Sequence, residues 1–189
     1  MGQTMRMTIA GAVALGLVLS GCQTVQHQTA SGRPEITVAR PAADVKSAWA
    51  GYLVNRGYTI TKDTDLQVVG EIVPNNAMAH MFFGSRYDGV PKARLTATYL
   101  SIGGGTRMVV DPAIVTNPGS AFERVTPLNN HPDTAGIQQT MNDLKEALDR
   151  GRKPGDAVAD AIAKSDVRRA ASQPTQAAQA AGSSQQQAQ

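Results

Sequence analysis

A solitary cysteine closes the first apolar run of this chain, and no second cysteine exists among the 189 residues to join it in a disulfide. Whatever folds after Cys22 must therefore be held by apolar burial and hydrogen bonding, even in an oxidising compartment. The run itself, Ile9 to Leu19, carries no charge; it is preceded by Arg6 and followed by the small residues Ser20 and Gly21. A basic start, an apolar middle and a small-residue end are the three parts of a secretory signal. Crossing the hydrocarbon core as a helix takes roughly 20 apolar residues, so a run this short predicts export rather than a transmembrane anchor.

Within that signal, Leu19-Ser20-Gly21-Cys22 resembles the lipobox of bacterial lipoproteins. The resemblance implies that residues 1–21 are removed, that the Cys22 thiol carries a diacylglyceryl group, and that the new amine is acylated as well. Two or three chains anchor a protein stably where one is marginal. Gln23 stands where the inner-membrane retention signal of enteric lipoproteins has Asp, so the expected address is the periplasmic face of the outer membrane. The membrane, through the N-terminal lipid, is the first expected partner, and a lipid-bearing Cys22 is closed to thiol chemistry.

Charge argues against a second class of partner. The chain has 18 Lys and Arg against 15 Asp and Glu, and one of the basic residues is Arg6 of the leader. The others are scattered, with Arg152-Lys153 and Arg168-Arg169 as the adjacent pairs. Nucleic-acid binding needs basic groups gathered on one face, so no nucleic acid is expected.

Residues 22–33 are polar and without apolar periodicity, which predicts a flexible tether. Residues 34–151 read as one domain. Ile36 and Val38 alternate in a short strand over 35–39. A helix follows, with Pro41 and Asp44 in its first turn, Val45, Ala48, Trp49, Tyr52 and Leu53 at helical spacing, and Gly57 as its stop. Residues 58–61 and 66–73 read as strands around an Asp63-Thr64-Asp65 turn. Residues 93–102 and 106–110 flank Gly103-Gly104-Gly105, a hairpin signal, and a further strand is expected around Phe122 and Val125. Ile137, Met141, Leu144 and Leu148 then mark a long amphipathic helix ending at Gly151. Consecutive strands with short turns pair antiparallel and leave one face for helices. The expected fold is therefore α+β, an antiparallel sheet covered on one face by two main helices. Residues 152–169 read as a linker with a weak helical pattern at Val158 and Ile162. The Ala, Gln and Ser composition of residues 170–189 predicts a disordered tail.

Ala48-Trp49, Leu53, Gly57-Tyr58-Thr59-Ile60, Asp63 and Gly70 together resemble the helix-grip domains of the BamC family, lipoprotein subunits of the outer-membrane β-barrel assembly machinery. The resemblance implies a fold in which a helix bearing Trp and Leu ends at Gly-aromatic and enters a strand. It carries over no functional residue.

Chemistry is harder to find. His27, His80 and His131 lie in different segments and lack the spacing that places two metal ligands on one helix face; a site would need help from carboxylates such as Asp111 or Asp133, and no metal or cofactor is expected. No Gly-x-Ser-x-Gly elbow is present. Asp63 and Asp65 lack the further oxygen ligands of a calcium loop, and Gly103–Gly105 lacks the Lys-Ser/Thr of a phosphate cradle. One segment stands apart. Met78, Met81, Phe82 and Phe83, with Arg86 and Tyr87 beside them, form either a buried strand or an adaptable apolar contact surface with a polar rim. The function expected is that of a non-enzymatic membrane-anchored envelope lipoprotein, a structural or protein-interaction module whose second partner is another envelope protein. The alternative is a periplasmic carrier of a small apolar ligand, in a cavity between helix and curved sheet.

Overall fold

The computed structural model describes residues 25–74 and 90–186. The architecture is α+β: six antiparallel strands form one sheet, and the helices pack against it. In chain order the elements are β1 (Glu35–Val38), α1 (Ala42–Asn55), β2 (Thr59–Asp63), β3 (Gln67–Ile72), β4 (Lys92–Ile102), β5 (Gly105–Thr116), β6 (Arg124–Pro127), α2 (Thr134–Asp149) and α3 (Pro154–Gln186). The sheet runs β1-β5-β4-β3-β2, and β6 joins β5 beside β1. β5 thus serves three neighbours: Glu35 pairs with Val109 in β1, Tyr99 with Met108 in β4, and Val125 with Val115 in β6.

Side chains alternate across a strand, and the apolar set follows one face. Ile36, Val38, Val68, Leu95, Ala97, Tyr99, Met108 and Val110 belong to a core shared with Trp49 and Leu53 of α1 and Met141, Leu144 and Leu148 of α2. Trp49 stacks on Tyr52, ring centroids 5.8 Å apart. α1 lies close to the sheet because Gly70 makes room for it: a Cβ there would stand 2.9 Å from Leu53 Cδ1. Gly57 ends the helix with φ +83°, a conformation that costs glycine nothing.

The observed elements add to the expected layout at three points. Beside the two expected main helices a third, α3, packs on α1 and α2, with Ala157, Val158 and Ala161 buried in the same core. The segment read as a linker is therefore part of the domain. Ion pairs tie it down: Arg56, which caps the C-terminus of α1, meets Asp166 at 2.8 Å, and buried Asp143 of α2 meets Arg168 at 2.6 Å. Second, α3 spans Pro154–Gln186; Ala and Gln are among the better helix formers. Third, β5 extends past Val110 to Thr116 in spite of Pro112. The Pro112 carbonyl accepts Leu128 N–H, so its nitrogen points to the same side, where β1 pairing has stopped at Val109 and β6 pairing begins at Ala113. The missing donor breaks no bond to β4. The strand expected around Phe122 and Val125 is β6, with Phe122 just before it.

Candidate functional site

All the described helices sit on one side of the sheet, and the other side carries charge. Glu71 and Arg94 are cross-strand partners, as are Thr96 and Asp111. Register brings Glu71, exposed over only 7% of its side chain, to Arg94 at 2.7 Å and Lys92 at 3.1 Å. Arg94 also reaches Glu123 at 2.8 Å, whose other oxygen accepts Gly119 N–H at 2.8 Å. Burial alone pushes the Glu71 carboxyl up, but the hydrogen bonds from Lys92 and Arg94 outweigh it and hold the group below the usual carboxylate range. Nearer β1, Arg107 grips Glu35 with two parallel bonds of 2.7 and 2.8 Å, the fork geometry that guanidinium and carboxylate favour. Arg107, first, and Ser31 hold the Glu35 carboxyl low. These carboxylates are ionised and committed to cations, an arrangement suited to a fixed, patterned surface rather than to proton transfer.

Between the charges lie apolar side chains. By register Val69, Val109, Ala113 and Val115 share this face and are buried on it. Leu100 and Ile102 are each 42% exposed, towards the β4–β5 turn. At the opposite end, Val125 beside Val115 is 51% exposed and Phe122 is 80% exposed. Val73, just after β3, and Val90, before β4, are both exposed at this same end.

The N-terminal segment is the second element of the site. Residues 25–33 do not hang free as a tether. Val25 N–H bonds Asn130 O at 3.1 Å, Ser31 N–H bonds Glu35, and Arg33 pairs with Asp111. His27 Nε2 lies 2.8 Å from Thr134 Oγ1. Since that hydroxyl already donates to His131 O at 2.7 Å, it must accept from His27, which fixes the proton on Nε2. Burial lowers the His27 pKa, so the ring is neutral near pH 7.

The structure therefore brings His27 and His131 to one spot at the start of α2, with Asp133 beside His131. Among the described residues no group of three or more His, Cys, Asp or Glu side chains is placed to hold a metal ion. Asp63 is engaged by Lys46 at 2.7 Å, as a turn residue tied to α1. Cys22, His80 and the segment Met78, Met81, Phe82, Phe83, Arg86 and Tyr87 lie outside the described residues. The described residues Pro74 and Val90 lie at the β6 end of the sheet face. Among the described residues no helix is long and apolar enough to cross a membrane. No protein-family model matches the chain, and no curated protein matches it in sequence.

Proposed function

We propose that this chain is a non-enzymatic bacterial envelope lipoprotein, held by lipid on Cys22 at the periplasmic face of the outer membrane, whose domain binds another envelope protein. Outer-membrane assembly or maintenance is the setting this reading favours. The observation that carries it is the sheet face without helices, where charges are paired in fixed positions between apolar residues and Leu100 and Ile102 remain open to solvent. Preorganised charge of alternating sign around apolar positions selects a complementary protein surface and rejects mismatched ones.

The anchor and the face are tested separately. Cys22→Ser should abolish incorporation of labelled fatty acid and release the protein from membrane fractions; unchanged labelling would sink the anchor. A photoreactive residue at Thr98 or Leu100 should capture a discrete envelope protein in living cells. Capture of the same set of proteins from Val167, on the far side of the helix layer, would remove the case for the open face.

A further inference from the structure

Resting on the lipid anchor just proposed, the geometry points to a fixed attitude of the domain on the bilayer: we propose that the β6 edge of the sheet, led by Phe122 and Val125, lies against the lipid surface, with β2 farthest from it. The argument begins with chain length. Val25 is pinned to Asn130, and His27 to Thr134. Cys22 lies three residues before Val25, and a chain spans at most about 3.6 Å per residue. The lipid-bearing residue is therefore held within roughly 11 Å of the point where residues 25–27 dock. That point is the 128–134 connection, which directly follows β6. A domain attached so closely cannot turn its β6 edge far from the membrane.

The surface at that edge suits such a position. Phe122, at 80% exposure, is the most exposed large apolar residue described. Val125 is half exposed, and Arg124 between them is exposed as well. An aromatic and an aliphatic side chain beside a cation match the lipid interface, where apolar groups enter the acyl boundary and the cation meets phosphates. All four residues of β6 are exposed, so among the described residues the outer edge of this strand is open. With strands about 4.8 Å apart, the order β1-β5-β4-β3-β2 places β2 about 20 Å farther from the bilayer. The sheet then stands upright, and its helix-free face is presented sideways, towards neighbours in the same membrane.

The test uses the full chain, lipidated in cells and reconstituted into vesicles of phosphatidylethanolamine and phosphatidylglycerol. Lipid on Cys22 leaves an introduced cysteine as the one free thiol. Nitroxide labels are attached to Ala121→Cys and Asp133→Cys, beside the proposed contact, and to Asp65→Cys, in the turn between β2 and β3 on the far side. All three positions are exposed. The expected result is loss of collision with a water-soluble nickel chelate at 121 and 133 on reconstitution, with a gain in collision with oxygen, and no change at 65. Adding Phe122→Glu should restore chelate access at 121 while the protein stays on the vesicles. Equal access at all three sites in vesicles overturns the proposal. So does protection at 121 that appears in native envelopes but not in pure lipid, since that surface would then belong to a protein. Failure of the underlying anchor reads differently: the chain would not float with vesicles, and Cys22 would itself take up a second label.

Discussion

Replacing Glu71 by Gln keeps the shape of a buried side chain and removes its charge, leaving Lys92 and Arg94 directed at a neutral amide. Removing one member of a fully buried ion pair costs about 3–5 kcal/mol, and an exposed pair is worth under about 1 kcal/mol. This site lies between the two. Glu71 is 7% exposed, but Arg94 is 20% and Lys92 36% exposed, and Arg94 keeps Glu123 as a second partner. The expected loss is about 2 kcal/mol at neutral pH. With a urea dependence of about 2 kcal/mol per molar, the unfolding midpoint should fall by about 1 M. The pH dependence checks the cause. The folded pKa of Glu71 is depressed, so its contribution is complete above the unfolded value of about 4.3 and disappears as pH falls through the folded pKa. The gap between wild type and Glu71→Gln should therefore close in acid. A midpoint shift under about 0.2 M at neutral pH would refute the reasoning, as would a deficit that stays undiminished all the way down an acid titration.

Gly105 and Gly104 should respond differently to alanine. A Cβ at Gly105 would meet Val38 O at 2.5 Å and force β1 away from β5, a loss of about 2–3 kcal/mol; Gly104 has φ +88° but open space and should lose about 1 kcal/mol. Equal Tm values for the two variants would contradict the close approach. Tyr99 is buried, and its hydroxyl has no hydrogen-bond partner among the described residues, so Tyr99→Phe should leave stability unchanged or raise it by about 1 kcal/mol; a loss of that size in urea titration would reveal an interaction. His27, with a pKa below the ordinary value of about 6.5, contributes docking energy that is complete above that value and is lost as pH falls through its folded pKa. Proteolysis before Glu35 should then speed up as pH falls below about 6.5, and an NMR titration placing His27 at or above about 6.5 would end that account.

Much of the fold was written in periodicity. Val45, Trp49 and Leu53 declare α1, and Met141, Leu144 and Leu148 declare α2, because large apolar side chains recur at helical spacing on a polar background. α3 showed only as a weak pattern at Val158 and Ile162, because its buried face is built largely from Ala157, Val158 and Ala161, small residues in a segment rich in alanine on every side. The docking of residues 25–33 is polar throughout, and hydrogen bonds to Asn130, Thr134 and Asp111 leave no period to read. The open face was hidden for a different reason. Glu71 and Arg94 meet through strand register, and the long connection between β3 and β4 separates them in sequence. The lipobox resemblance of Cys22 needed only neighbouring residues.

The central place of β5 also sets an order of events in time. Synthesis proceeds from the N-terminus, yet β1 has no sheet partner until β5 exists: Glu35 waits 72 residues for Arg107 and 103 for Gln138. His27 waits 107 residues for Thr134. Contacts this distant form late, because closing such loops is costly until the β4–β5 hairpin offers a template. Residues 25–38 therefore lack their final partners until the β4–β5 hairpin and the first turns of α2 have been made. The segment that emerges first is among the last to be fastened down.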